Sequence, residues 1–141
     1  MKLSSNFDLN EFTRSDKARE LGINNNLDWI DSAWIVDNLE RLCKFTLEPI
    51  RRVVASPVRV TSGYRCARLN EVVGGSPTSD HRYGLAADIQ FDDFNSKWYE
   101  VVIYLIVNTH IPFDQLIIYK NFLHIGIGRA MRRQVLDYRN R

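Results

Sequence analysis

Gly84-Leu85-Ala86-Ala87-Asp88-Ile89-Gln90-Phe91 and, further along, Phe122-Leu123-His124-Ile125-Gly126-Ile127-Gly128 are the two stretches that decide how this chain folds. Successive side chains of a strand point to opposite faces. In the first stretch Ala87, Ile89 and Phe91 therefore share one face, and Ala86, Asp88 and Gln90 share the other. In the second, Leu123, Ile125 and Ile127 form an apolar face and leave Phe122, His124, Gly126 and Gly128 opposite. A third β-rich run, Gln115 to Tyr119, reaches the second across Lys120-Asn121, the length of a two-residue hairpin. Closing there pairs Ile117 with His124 and puts Gln115 and Tyr119 on the same face. Glycines on that face leave room for another molecule to approach.

Two coordination-competent side chains, Asp88 and His124, thus project from the non-core faces of strands. A third, His81, lies seven residues before Asp88 at the end of a polar loop, Ser76-Pro77-Thr78-Ser79-Asp80, which lets it curl back. Catalytic zinc takes three protein ligands of the His and carboxylate type and keeps one position for water. His81, Asp88 and His124 supply that number and type. Parity alone leaves a second reading open, in which the three are surface groups or satisfied hydrogen-bond partners. His110, before Ile111-Pro112, is expected to cap helix carbonyls and has no ligand role.

Working outward, Ser15 to Leu21 followed by Gly22 predicts a short helix with a serine N-cap and a glycine stop. A longer helix is expected from Asp31, because Ile35, Leu39, Leu42, Thr46, Ile50 and Val53 recur at intervals of three and four. Pro49 interrupts that stripe and predicts a kink or break. Val58 to Thr61 reads as a strand, Cys66 to Val73 as a short helix ended by Gly74-Gly75, and Asn95 or Ser96 as the cap of a helix through Asn108. The fold class is α+β: N-terminal helices packed on a small, mostly antiparallel sheet that bears a metal site. One domain spans 1–141, with a helical cover over about 1–56, a metal-bearing core over about 57–128 and a basic tail at 129–141.

Nineteen basic and seventeen acidic side chains give a net charge of +2, too balanced for nucleic acid to be the main partner. Arg129, Arg132, Arg133, Arg139 and Arg141 against Asp137 put +4 in the tail, which is expected to be solvated. The most apolar stretch, Trp98 to Val107, is too short to span a bilayer, so membrane insertion is not expected. The first residues carry no apolar run of the secretory type. Cys43 and Cys66 lack paired spacing and are expected to be free thiols.

Several motifs occur in order: Ser62-Gly63-Tyr64-Arg65, Leu69-Asn70, Gly74-Gly75-Ser76-Pro77-Thr78-Ser79-Asp80-His81, Gly84-Leu85-Ala86-Ala87-Asp88 and Phe122-Leu123-His124-Ile125. Together they resemble the zinc D-alanyl-D-alanine carboxypeptidase-like peptidases, which share their fold with the hedgehog signalling domain. Ser79-Asp80-His81 through Asp88 is the most specific part. Phe113-Asp114-Gln115-Leu116-Ile117 is similar to the small bacterial and phage branch. The match covers about 57–128, with a looser one at Leu47-Glu48-Pro49-Ile50-Arg51.

The resemblance implies a zinc (Zn2+) peptidase acting on the peptide stems of bacterial peptidoglycan, as a D,D- or L,D-carboxypeptidase or an endopeptidase. His81, Asp88 and His124 match the family's three ligands, and Arg65 matches the arginine that steadies the substrate carbonyl or carboxylate. Ser79 is expected to orient His81, and Gln115 and Tyr119 to contact substrate. Relatives often carry an acidic general base three residues before the last ligand, where this chain has Asn121. Asp80, Asp114 and Tyr119 are the alternatives, although parity puts Asp114 on the core side of its strand. A non-catalytic zinc-bearing binding module of the same fold is the competing reading, and a metal-free scaffold the third. The expected setting is synthesis in the bacterial cytoplasm, as a phage-encoded enzyme acting on the wall after release or as a cytoplasmic dipeptidase.

Overall fold

The structure, a computed structural model, describes residues 1–28, 30–92, 96–128 and 130–141. The chain opens on a hairpin, β1 (Lys2–Ser4) and β2 (Phe7–Asp8), followed by a short helix, α1 (Leu9–Thr13). These elements are too short to show a period in sequence. Their local signal is a capping box: Asp8 Oδ1 accepts from the Asn10 amide at 3.1 Å, and Glu11 Oε2 accepts from the Asp8 amide at 2.7 Å. The next helix, α2 (Asp16–Leu21), has the expected ends. Ser15 Oγ accepts from the Ala18 amide, and Gly22 closes the helix in the left-handed region at φ 67°.

The long apolar stripe becomes three consecutive helical pieces: α3 (Ala33–Leu42), a π-helical turn (Cys43–Leu47) and α4 (Glu48–Val54). Pro49 produces this division without ending the helix. It sits in the first turn of α4, where a missing N–H is tolerated, and the widened π turn before it absorbs the irregularity.

The remaining elements are β3 (Val58–Ser62), α5 (Ala67–Val72), a 3-10 turn (Asp80–Tyr83), β4 (Ala86–Phe91), α6 (Ser96–Val107), β5 (Gln115–Ile118), β6 (Leu123–Gly126) and β7 (Gln134–Asp137). Asn95, one of the two expected caps of α6, lies outside the described residues, as does Arg129. The five strands β3 to β7 form one sheet in the order β3-β4-β6-β5-β7. The β5–β6 hairpin closes at Lys120-Asn121 with Ile117 opposite His124, the expected register. In the neighbouring ladder Asp88 lies opposite His124, flanked by Ala87 opposite Ile125 and Ile89 opposite Leu123.

Two sequence expectations fail in the C-terminal part. The basic segment is not merely a solvated tail: Gln134–Asp137 runs parallel to β5 as the edge strand and makes the sheet mixed. Nor does His110 cap α6. Arg133 does so, donating to the carbonyls of Val107, Thr109 and Ile111. A guanidinium reaching from the segment just before β7 answers the orphan carbonyls better than an adjacent imidazole that stays exposed.

The core lies on one face of the sheet. Ala87, Ile89, Leu116, Leu123 and Ile125 are covered by Leu39, Leu47 and Ile50 from the N-terminal helices and by Val102 and Ile106 from α6. Cys43 is buried and Cys66 is half-buried, both as free thiols. Among the described residues no helix is long and apolar enough to cross a membrane.

One buried carboxylate ties the N-terminal hairpin to the helical layer. Glu48 accepts from Ser4 Oγ at 2.7 Å, the Asn6 amide at 2.8 Å and Asn6 Nδ2 at 2.7 Å. Burial alone pushes its carboxyl up, but these hydrogen bonds and the Arg51 charge outweigh that and hold it below the ordinary value of 4.5. A lowered folded value means that the stabilisation is complete above the ordinary value and disappears as pH falls through the lowered one. Glu48→Gln is therefore expected to cost about 2 kcal/mol at neutral pH and to flatten the acid limb of stability. Urea melts of both proteins across the acid range check this, and parallel pH profiles would count against it.

Candidate metal centre

Three elements deliver the candidate ligands. Asp88 stands on β4 directly opposite His124 on β6, because the buried pairs on either side lock that register. His81 arrives from outside the sheet on the 3-10 turn, whose start is capped by Ser79 Oγ accepting from the His81 amide at 3.3 Å. The turn ends on Gly84 at φ 70°, where a Cβ would meet the Ile35 carbonyl at 2.7 Å. Only glycine combines that left-handed conformation with so close an approach to α3.

The ligand atoms of His81, Asp88 and His124 lie within 4.8 Å of one another. His81 Nε2 is 3.3 Å, and His124 Nδ1 3.0 Å, from Asp88 Oδ1. The other nitrogen of His81 sits 2.7 Å from the carbonyl oxygen of Gly63. A carbonyl only accepts, so Nδ1 carries the proton and Nε2 presents a bare lone pair. That Nε2 is buried without a hydrogen-bond partner. A lone pair aimed at a carboxylate oxygen is unfavourable unless a cation lies between them, and a divalent metal ion fits this donor set. Burial pushes the Asp88 carboxyl up, but its hydrogen bond with His124 foremost outweighs that and keeps the group below the usual carboxylate range.

Arg65 is fixed beside the cluster. Its Nη2 lies 3.7 Å from Asp88 Oδ2, its Nη1 donates to Asn70 Oδ1 at 3.0 Å and its Nε to Ser62 Oγ at 3.3 Å. Asn70 is buried and donates its own amide to the Ser76 carbonyl at 2.7 Å. A Cβ on Gly75 would fall 2.1 Å from Asn70 Oδ1, so only glycine lets the loop pass so close. Sequence reading gave Asn70 no role. Its signals are its place in the Leu69-Asn70 motif and an amide on the buried face of a short helix, where an apolar residue is expected.

A cavity of about 550 Å3 opens over the cluster and brings Arg65, Ser79, Gln115 and Tyr119 to one wall system with His81, Asp88 and His124. Phe122, Ile117 and Thr78 also line it, none of them singled out in sequence for a site role. Gln115 donates to Gln134 Oε1 at 2.8 Å, which anchors it to β7. The Tyr119 ring stacks on Phe122 at 4.4 Å and meets Tyr138 edge-on at 5.8 Å. Burial pushes its phenol up, so it stays protonated and acts as a donor.

Of the alternative bases, Asp114 is not in this cavity. It is buried and gripped by Arg132, whose Nε and Nη2 donate at 2.9 and 3.0 Å. Parity puts it on the core side of its strand; it lies outside this cavity but lines a neighbouring hollow instead of joining the core. Asn121 lies exposed in the hairpin turn, where its carbonyl accepts from Gln90 Nε2. Asp80 lines the cavity, and with Asp88 in the cluster it is the remaining carboxylate of the lining among the described residues.

Compared with known proteins, residues 5–126 match the family model described as Peptidase M15. No curated protein matches the chain.

The cluster is expected to take up one divalent ion per chain. Zinc added to chelator-treated protein should raise the melting temperature by several degrees, and His81→Ala should remove both the uptake and the shift. Elemental analysis after dialysis, alongside calorimetric melts, decides this; an unchanged melt and no bound metal would overturn it.

Proposed function

The chain belongs to the peptidase M15 family, and from that premise we propose that it is a zinc-dependent hydrolase of the peptide stems of bacterial peptidoglycan. The observation that carries the reading is the buried, unpartnered Nε2 of His81 aimed at Asp88 beside His124. His81, Asp88 and His124 would hold the zinc. When bound, zinc acidifies its water toward neutrality and polarises a carbonyl.

The chain's own groups account for the rest. Arg65, held by Ser62 and Asn70, offers a fixed guanidinium to the oxygen on which negative charge develops, or to a substrate carboxylate. Because both contacts restrain the fork before substrate arrives, little reorganisation is needed at the moment of reaction. Tyr119 presents a phenol that remains a donor, and Gln115 an amide anchored on β7. With Asp114 neutralised by Arg132, we assign to Asp80 the task of taking a proton from the attacking water and handing it to the departing amine. Carboxypeptidase and endopeptidase action differ in whether the open end of the cavity must hold a free carboxylate or a continuing chain.

Asn121 favours one other reading, a zinc-bearing binding module, since the residue three before His124 cannot accept a proton usefully. Purified peptidoglycan incubated with the zinc-loaded protein, with His81→Ala in parallel, separates the two. Mass spectrometry should find stem fragments released by the first alone. Zinc bound one per chain with no fragments would sink the peptidase reading and leave the module. Arg65→Ala and Asp80→Asn are each expected to slow release by about a hundredfold while zinc content stays at one per chain.

A further inference from the structure

A second hollow, of about 790 Å3, adjoins the metal cavity, and Thr78 and Asp80 line both. The volume falls in the range of about 300–1,000 Å3 typical of ligand sites. Its wall is of a different kind. Trp34, at the start of α3, is 52% exposed although the neighbouring Ile35, Val36 and Leu39 are buried. Its ring lies 6.1 Å from that of Tyr83, tilted by 32°, and the Arg82 guanidinium carbon sits 5.7 Å over the Tyr83 ring, so that Trp34 and Tyr83 give the hollow one aromatic platform. Among the described residues the indole keeps about half of its surface in water beside Tyr83, an exposed aromatic body with a polar edge.

The platform is rigid and coupled to the metal cluster. Tyr83 ends the same 3-10 turn that carries His81 two residues earlier. Asn38 Nδ2 donates to the Tyr83 carbonyl at 2.9 Å, and Gly84 lets the turn press on α3. Polar groups stand at the edge of the hollow. Arg132 commits Nε and Nη2 to Asp114 and keeps Nη1 available, and Thr78, whose hydroxyl is 3.1 Å from Ser76 Oγ, lines the shared rim. An apolar platform bordered by a guanidinium and a hydroxyl matches a pyranose ring, which has one C–H face and a rim of hydroxyls.

We propose that this hollow is a saccharide subsite, in which Trp34 and Tyr83 stack on an amino-sugar ring of the glycan strand whose peptide stem lies over the metal cluster. The assignment of the sugar's source rests on the peptidoglycan reading above. The binding chemistry stands on Trp34, Tyr83 and Arg132 alone.

The test titrates the full chain, with and without zinc, with a soluble β-1,4-linked N-acetylglucosamine tetrasaccharide, followed by calorimetry and by amide NMR shifts. Binding is expected in both states, with shifts at Tyr83 and α3. Trp34→Ala should weaken it about tenfold, and Trp34→Phe should recover most of the loss. On disaccharide-bearing and sugar-free stems, Trp34→Ala should lower the ratio of the two rates by about tenfold as well. No binding at millimolar oligosaccharide, equal binding by Trp34→Ala, or displacement of the same NMR shifts by a sugar-free stem peptide would each overturn the proposal. Wild-type protein that binds the oligosaccharide but cuts neither substrate would support the subsite and refute the peptidase reading, so the two failures are distinguishable.

Discussion

The pairing of Asp88 with His124 across the β4–β6 ladder is the constraint on which the rest of the molecule depends. Its strength does not come from the two polar residues. Ala87 opposite Ile125 and Ile89 opposite Leu123 are completely buried, and a slip of one residue in either strand would turn that strand's two apolar residues out of the core and its ligand, Asp88 or His124, into it. The hydrophobic effect thus sets the spacing of the metal cluster. The β5–β6 hairpin adds a second lock, because a two-residue turn permits one register only, and that register puts Gln115 and Ile117 on the ligand face.

What the sheet cannot supply is the third ligand, which comes from a turn whose geometry is settled by packing. The Gly63 carbonyl fixes the proton on His81 Nδ1, the His81 carbonyl in turn accepts from the Arg65 amide at 3.0 Å, and Gly84 lets the turn lie against α3. His81, Arg65 and Tyr83 are therefore tied to one another through the turn. Converging acceptors would be costly in so buried a place without positive charge. The Arg65 guanidinium, 3.7 Å from Asp88, supplies part of it, and a divalent ion at the bare His81 nitrogen would supply the rest.

The C-terminal strand has a part in this economy of charge that its composition conceals. By running parallel to β5 it brings Arg132 onto Asp114 and Gln134 onto Gln115, so one carboxylate is withdrawn from chemistry and one amide is held for it. Arg133 closes the end of α6 in the same passage. Gln134-Val135-Leu136-Asp137 is short and only partly buried, with no glycine or proline to bound it, and arginines on both sides make it read as solvent-facing. Its strand state comes from the unpaired edge of β5, which no local pattern announces.

The amino-acid sequence by itself determined the strands of the centre of the sheet, the hairpin register and the face that carries Asp88 and His124, since alternation and turn length act over a few residues and need no partner to be read. Ser15 and Gly22 marked α2 for the same reason. The hairpin β1–β2 and helix α1 were invisible because they are too short to repeat a period, and the role of Asn70 because an amide is informative only once its neighbours are known. Tertiary structure alone decided that Asp114 is neutralised, that Arg65 is restrained beside the cluster, and that Trp34 and Tyr83 meet at a hollow next to it. Each of these joins segments far apart in the chain, and such contacts are set by how buried surfaces fit together, a property of the packed whole and of no single stretch.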